Sequence, residues 1–145
     1  NVEARGGMLI GSCLAGISFL KGLGLVHAIS HMVGAEYDTQ HGLTNAIILP
    51  SVLKFNEDHI SHKVNRMYFS QYTKLGTFGE FYSGVCNLLD ELSIPNNLGE
   101  IGVGSDRFHE LAVKARKDSA AFTNPRDASI EEIRNLISEA FHKGR

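Results

Sequence analysis

The spacing of His27, His31 and His41 constrains the fold of this chain more than any other feature. These are three of its seven histidines, and they fall within fifteen residues. On a helix, residues four apart share one face, with Cβ atoms roughly 5–6 Å apart. A continuous helix from His27 to His41 would rise about 21 Å, so His41 reaches the same point only if the chain turns back. The spacing therefore predicts a helix, a reversal and a second helix wherever these histidines act together.

Residues 34–42 supply the means to reverse the chain. Gly34 is a plausible end for a first helix over about residues 25–33, because glycine commonly terminates helices. The apolar periodicity is weak over residues 36–40, and it resumes at His41-Gly42 as a second helix to about Asn56. The glycines at positions 22 and 24 separate the first of these helices from an earlier one.

Metal binding and core packing are equally compatible with this histidine spacing. Imidazole is a common metal ligand, and two histidines at positions i and i+4 can bind one ion. A single histidine on an apolar face is more often a hydrogen-bonded core residue. From spacing alone, the expected ligand pair is His27 with His31.

The same stretch resembles the signature of the iron-containing alcohol dehydrogenase family. The match runs in order from Gly22 through the three histidines to Ala46 and continues to Asn56. Residues 3–19 resemble the helix that precedes the signature, and residues 118–126 resemble a segment near the C-terminus of the family. Residues 57–117 agree only in general character. The family resemblance therefore covers most of the chain.

The resemblance implies a role for each histidine that differs from the spacing argument. It makes His27 and His41 the ligands of a divalent metal ion, Fe²⁺ or Zn²⁺. It places His31 beside the nicotinamide of NAD or NADP and beside the substrate, as a catalytic and cofactor-binding residue. The implied reaction moves a hydride between a small alcohol or aldehyde and NAD(P), with the metal acting as a Lewis acid.

The resemblance also implies a domain that precedes these residues. Family members begin with an α/β nucleotide-binding domain, which holds most of the NAD(P) contacts and supplies an aspartate and a histidine to the metal site. We expect residues 1–145 to be the single, all-helical C-terminal domain of such a protein. As a fragment it should bind metal weakly and be inactive toward alcohol. Its expected partner is the missing nucleotide-binding domain, and the resemblance is compatible with a homodimer.

A rival hypothesis is a free-standing helical module without catalysis, in which His27, His31 and His41 together form a complete metal site. Alanine variants separate the two hypotheses, because the module needs all three histidines and the dehydrogenase half-site needs only His27 and His41. A purely structural helical bundle is the third possibility, and it would take up no metal specifically.

Helical periodicity in the rest of the chain predicts an all-α bundle. Apolar residues recur at three- and four-residue steps in roughly seven segments, and no strand is predicted with comparable strength. The glycine-rich helix over residues 3–20 is predicted to be buried. The pairs Thr77/Glu80 and Ser129/Glu132 match the capping-box pattern, and Ser105 is a candidate cap for a helix that runs to about Asp118.

Charge and cysteine content exclude several other classes of function. Fourteen basic and sixteen acidic residues give a formal net charge of −2, which gives no electrostatic case for nucleic acid or an anionic membrane as a partner. Cys13 and Cys86 are too few for a disulfide framework, and both are predicted to be small buried apolar residues. His59 and His62 are predicted to be surface histidines. The sequence shows neither a membrane span nor a secretory signal, so the expected location is the cytoplasm.

Overall fold

The computed structural model describes residues 1–66 and 76–144. The described residues form α-helices and two short 3₁₀ helices, with no strand among them, which confirms the all-α prediction. The α-helices are α1 (Val2–Phe19), α2 (Gly24–Tyr37), α3 (His41–Val64), α4 (Phe78–Glu91), α5 (Phe108–Lys117) and α6 (Ile130–His142), and the 3₁₀ helices are η1 (Leu98–Ile101) and η2 (Ser119–Thr123).

The hydrophobic core lies between α2, α3, α5 and α6. Helix α2 packs against α3, α5 and η2, and α6 packs against α5 and α3. Each core helix contributes apolar side chains at the helical spacing that places them on one face. The largest of the fully buried apolar side chains are Leu25, Ile29, Ile48, Leu98, Leu111, Ile133 and Ile137.

Helix α1 departs from the prediction that it is buried. None of its residues is buried, and Cys13 is exposed rather than packed inside. The exposed fraction of Met8 is 74% and that of Ile17 is 60%. The prediction was wrong for this chain because apolar periodicity shows that a helix face needs a partner, and it does not show that the partner lies within the same 145 residues.

The join between α1 and α2 bends the chain by 97°. Gly22 (φ 105°) and Gly24 (φ 70°) both adopt left-handed backbone conformations there, which cost little only for glycine. A Cβ atom on Gly22 would lie 2.3 Å from Cβ of Thr123. No single helix within the described ranges is long and apolar enough to cross a membrane. Helices α1 and α2 reach the length and apolar content of a membrane span only when they are counted together, across the bend.

Two predicted helix boundaries in this region were wrong. Helix α2 continues past Gly34 to Tyr37 and ends at Asp38, which adopts the left-handed conformation (φ 53°, ψ 38°) and donates its backbone N–H to the Gly34 carbonyl. Aspartate tolerates this conformation better than most residues. Helix α3 continues through the buried Pro50 to Val64, eight residues beyond the predicted end. The reversal between α2 and α3 is therefore only three residues long.

The capping predictions have mixed outcomes. Thr77/Glu80 and Ser129/Glu132 form complete capping boxes at the starts of α4 and α6. Ser105 does not cap α5, which begins at Phe108 without a side-chain cap. The exposed positions of His59 and His62 on α3 confirm that they are surface histidines.

Candidate functional site

The short reversal between α2 and α3 brings the three histidines of the signature together. His27 and His31 lie one turn apart on α2, and His41 is the first residue of α3. The ring centroids are 5.2 Å apart for His27 and His41, 5.5 Å for His31 and His41, and 5.9 Å for His27 and His31. All three imidazoles therefore form one cluster on one side of the bundle.

The side-chain amide of Asn45 lies between the Nε2 atoms of His27 and His41. Its Nδ2 is 3.3 Å from Nε2 of His27 and 3.0 Å from Nε2 of His41. An amide nitrogen only donates, so both Nε2 atoms present lone pairs to it. Oδ1 of the same amide is buried and has no hydrogen-bond partner. Two imidazole lone pairs therefore converge on one position, which in this structure is filled by a neutral donor.

This pair of nitrogens fits a divalent metal ion as two of its ligands. Neutral imidazole suits Fe²⁺ and Zn²⁺, and a cation placed between the two Nε2 atoms would replace the Asn45 donor. Within residues 1–66 and 76–144, however, no group of three His, Cys, Asp or Glu side chains is placed to hold a metal ion. The described part of the chain thus brings two candidate imidazole ligands together without a third.

The Nδ1 atom of His41 is held by Ser30. Ser30 is fully buried on α2, and its Oγ lies 3.1 Å from Nδ1 of His41. Because Nε2 of His41 accepts from Asn45, the neutral imidazole carries its proton on Nδ1 and donates it to Ser30. A hydrogen bond to the far nitrogen is the usual means of orienting a metal-binding histidine.

Burial and the neighbouring imidazoles keep His27 neutral. Burial is the largest cause that lowers the pKa of His27, and His41 and His31 lower the same pKa further. The Leu23 carbonyl and the Asp118 carboxylate oppose this shift only in part. Nδ1 of His27 is a buried atom without a hydrogen-bond partner among the described residues. A neutral imidazole is the form that binds metal.

His31 contacts a carboxylate from a distant part of the chain. Its Nδ1 lies 3.1 Å from Oδ2 of Asp118, a residue 87 positions later that joins α5 to η2. The side chain of His31 is 36% exposed and that of Asp118 is 15% exposed. His31 therefore lies beside His27 and His41. Its Nδ1 contacts Asp118, whereas the other two histidines contact Asn45.

The segment after Asp118 also caps the helix that carries His27 and His31. Oγ1 of Thr123 accepts hydrogen bonds from the backbone N–H groups of Leu23 and Gly24 at 3.1 and 3.2 Å. Oδ1 of Asn124 accepts from the N–H of Leu25 at 3.2 Å. Helix α2 has no cap from its own preceding residues, so its free N–H groups are satisfied from a segment about 100 residues away.

A cleft of about 530 Å³ adjoins His27 between α1 and α2. The Phe19 ring meets the His27 imidazole edge-on, with centroids 6.3 Å apart. The cleft is lined by small and apolar side chains together with one imidazole, so it offers space for a small organic molecule beside the histidine cluster. Its lining residues are Ser12, Ala15, Gly16, Ser18, Phe19, Gly22, Leu23 and His27.

Sequence reasoning missed four residues that contact the histidines or cap the helix that carries two of them: Ser30, Asn45, Asp118 and Thr123. Ser30 and Asn45 lie inside the signature, and their residue types gave no signal apart from the histidines beside them. Asp118 and Thr123 lie in the C-terminal block that carries part of the resemblance, but 87 and 100 residues separate them from their partners on α2 or just before it. No periodic pattern connects positions so far apart.

Comparison with known sequences identifies relatives across almost the whole chain. The profile of the family described as "Fe-containing alcohol dehydrogenase family, C-terminal" matches residues 1–141. The probable alcohol dehydrogenase EutG of Escherichia coli (strain K12) is 36% identical over 141 residues, covering 97% of this chain and 36% of that protein. The 1,3-propanediol dehydrogenase of Klebsiella pneumoniae is 34% identical over 148 residues, covering 97% of this chain and 38% of that protein. The chain thus spans little more than a third of the length of these curated relatives.

Solved structures share the helical arrangement. A crystal structure of 1,3-propanediol oxidoreductase superposes with a TM-score of 0.72 at 31% identity, covering 81% of this chain and 32% of that one. The iron-containing alcohol dehydrogenase of Thermococcus thioreducens gives a TM-score of 0.71 at 28% identity, covering 83% of this chain and 32% of that one. The sequence match and the shared fold agree, and the chain belongs to the Fe-containing alcohol dehydrogenase family as its C-terminal domain.

Proposed function

We propose that this chain is the C-terminal part of a metal-dependent dehydrogenase that moves a hydride between a small alcohol or aldehyde and NAD(P). The observation that carries the proposal is the convergence of two Nε2 lone pairs, from His27 and His41, on one position between α2 and α3. A divalent metal at such a position supplies Lewis acidity, which makes the hydroxyl proton of an alcohol easier to lose. The names of the relatives, which include alcohol and propanediol dehydrogenases, support the same reaction class.

In this proposal His27 and His41 are metal ligands for Fe²⁺ or Zn²⁺. Their Nε2 atoms face the same donor, burial holds His27 in the neutral form, and Ser30 orients the ring of His41. Four-coordinate Zn²⁺ sites of catalytic type commonly have three protein ligands, so the upstream part of the protein would supply those that this chain lacks. Residues 1–145 alone should therefore bind metal weakly.

His31 is the proposed catalytic residue and the contact to the nicotinamide. It lies in the same cluster, but its Nδ1 binds Asp118 rather than Asn45. An imidazole beside the reacting carbon can take up or release the hydroxyl proton while the hydride moves to or from NAD(P). The cleft between α1 and α2 offers space for the small substrate next to the cluster.

The proposed partner of this chain is an upstream nucleotide-binding domain of the same protein. The relatives continue for more than half of their length beyond the part matched here. Helix α1 begins at Val2, and its apolar side chains are exposed along its whole length. Contact with the upstream part would bury that surface, which gives α1 the partner that it lacks in the described residues. NAD or NADP would bind mainly to that domain.

Zinc titration of single alanine variants tests the proposed site. His27→Ala and His41→Ala should each abolish most of the weak Zn²⁺ binding, measured by calorimetry, whereas His31→Ala should leave it largely intact. His59→Ala, which removes an exposed histidine from α3, is the matched control and should have no effect. Equal losses at positions 27, 31 and 41 would instead favour a three-histidine metal module without catalysis.

An activity assay tests the reaction itself. The 145-residue chain with added metal should not reduce NAD(P) with an alcohol above a metal-free control. Addition of an upstream nucleotide-binding domain should restore turnover. Turnover by the chain alone, or no turnover by the reconstituted protein, would contradict the proposal.

A further inference from the structure

In the hydrogen bond between His31 and Asp118, the histidine is the donor and the carboxylate is the acceptor. An ionised carboxylate has only acceptor sites, so the nitrogen that faces it must carry a proton. The atom that faces Oδ2 of Asp118 at 3.1 Å is Nδ1 of His31. In the neutral imidazole one nitrogen is protonated and the other is not. A proton fixed on Nδ1 therefore leaves a lone pair on Nε2.

Asp118 is itself held in place by a second hydrogen bond. Its Oδ1 accepts from the backbone N–H of Ala120 at 2.8 Å, and this bond caps the start of η2. With 15% of its side chain exposed, Asp118 is more buried than the histidine that it contacts. The two carboxylate oxygens thus have separate roles, one toward the backbone of η2 and one toward His31.

The segment that carries Asp118 is also fixed relative to α2. Helix η2 packs against α2, and Thr123 at the end of η2 caps the start of α2. The Asp118 end of η2 therefore contacts His31 through a carboxylate, and the Thr123 end contacts the start of α2 through a hydroxyl. These hydrogen bonds fix the backbone that carries the carboxylate relative to the helix that carries the histidine.

We propose that Asp118 is a positioning residue that holds His31 in the Nδ1–H tautomer and so makes Nε2 the atom that exchanges a proton in the reaction. The inference rests on the catalytic role proposed above for His31. In the oxidation direction Nε2 of His31 would accept the hydroxyl proton of the alcohol, while the hydride from the carbon that bears this hydroxyl would go to NAD(P)⁺ held by the upstream domain. The reverse reaction returns both.

The tautomer can be measured directly in the full 145-residue chain without metal. Two-bond ¹H–¹⁵N correlation spectra of ¹⁵N-histidine-labelled protein, at about pH 8 where imidazoles are mainly neutral, distinguish protonated from unprotonated ring nitrogens. We expect the wild-type His31 resonances to show the proton on Nδ1. A wild-type proton on Nε2 would overturn the proposal without any variant.

The variant Asp118→Asn tests the role of the carboxylate. Its single Oδ1 can still accept from Ala120, and its amide nitrogen then faces His31 as a donor, so Nδ1 must accept and the proton must move to Nε2. Asp127→Asn is the matched control, because Asp127 is an exposed aspartate later in the chain whose side chain pairs with Arg116. An unchanged tautomer in Asp118→Asn, in a chain with wild-type helical content, would overturn the proposal.

Kinetics of the protein reconstituted with its upstream domain separate this inference from the proposed function. We expect Asp118→Asn to lower kcat by roughly 10²–10⁴-fold, with KM for NAD(P) nearly unchanged, and Asp118→Glu to recover part of the loss. A loss in His31→Ala without a loss in Asp118→Asn would refute the positioning role and leave the function standing. Full activity in His31→Ala would refute the catalytic role of His31 itself.

Discussion

Thr123 accepts a hydrogen bond at 3.1 Å from the backbone nitrogen of Leu23, a residue 100 positions earlier in the chain. The same hydroxyl oxygen accepts from Gly24, so one side chain satisfies two of the free N–H groups at the start of α2. The start of the helix that bears His27 and His31 is thus held by a segment from the other end of the sequence.

Replacement of Thr123 by valine should destabilise the chain by about 1 kcal/mol, because it removes the hydroxyl that caps α2 and keeps the side-chain shape. Urea denaturation followed by circular dichroism measures the change in the free energy of unfolding. Thr123→Ser is the control, since it keeps the hydroxyl and should lie close to wild type. Equal stability of the valine and serine variants would show that the cap contributes nothing.

The variant Gly22→Ala should be destabilised by about 1–3 kcal/mol, because alanine is strained at φ 105°. The new Cβ would also lie 2.3 Å from Cβ of Thr123, so the cap must shift. Gly11→Ala in α1 is the matched control, since no atom lies within 4 Å of its new Cβ and helical alanine is favoured over glycine. Thermal denaturation should show a loss of stability in Gly22→Ala and none in Gly11→Ala, and a harmless Gly22→Ala would contradict the described turn.

Most of the fold could be predicted from apolar periodicity and capping patterns, because both are local. Ser129 and Glu132 lie three residues apart, and their capping box forms as expected at the start of α6. The exposure of α1 could not be predicted in the same way, because its apolar positions specify a helix face without specifying which polypeptide covers it. The end of α2 was also missed, since Asp38 rather than Gly34 adopts the left-handed conformation.

The candidate site could be predicted only where its residues are neighbours in sequence or match the family signature. The spacing rule favoured His27 with His31, because residues four apart share a helix face. In the structure Nε2 of His27 instead faces the same amide as Nε2 of His41, and His31 turns its Nδ1 to Asp118. The partner of each histidine depends on the direction of its side chain and, for His31, on a contact with a residue 87 positions away. The spacing of histidines in the sequence carries no information about either.

Replacement of Ser30 by alanine should weaken metal binding and lower stability together. The variant leaves the Nδ1–H group of His41 without its buried partner, at a cost of about 1–3 kcal/mol in the free energy of unfolding. Loss of such an orienting hydrogen bond typically lowers metal affinity by about 10–100-fold. Zinc titration and urea denaturation measure the two effects.

The matched control for Ser30→Ala is Ser18→Ala, which removes an exposed hydroxyl from α1. Oγ of Ser18 donates only to the Leu14 carbonyl of the same helix turn. This variant should change neither zinc affinity nor stability by a measurable amount. If both serine variants behaved alike, the hydrogen bond from His41 to Ser30 would have no special role.

The capping box of α6 should make stability depend on pH through Glu132. Hydrogen bonds from Ser129, first from its backbone N–H and then from its hydroxyl, lower the pKa of Glu132 below 4.5, and Arg126 adds to the shift. The unfolded chain therefore binds this proton first as the pH falls. The stabilisation is fully present above about pH 4.5, the ordinary carboxyl pKa, and is lost as the pH falls through the lower pKa of the folded state.

The difference in unfolding free energy between wild type and Glu132→Gln should accordingly be largest near neutral pH and should shrink in acid. Urea denaturation at a series of pH values measures it. Glu57→Gln, at an exposed position on α3, is the control and should show no comparable pH-dependent difference. A difference in unfolding free energy between wild type and Glu132→Gln that grew in acid would contradict the prediction.

Replacement of Asn45 by aspartate should convert the two-histidine half-site into a three-ligand site within this chain. The carboxylate would stand where an amide now lies 3.0 Å from Nε2 of His41 and 3.3 Å from Nε2 of His27, and two imidazoles with one carboxylate form a typical zinc ligand set. Calorimetric titration should show Zn²⁺ bound at least about ten-fold more tightly than by wild type, a gain of roughly 1.4 kcal/mol. Asn45→Ala is the control, because it empties the same position without adding a ligand. Equal affinities for the aspartate and alanine variants would mean that the metal does not bind between these two histidines.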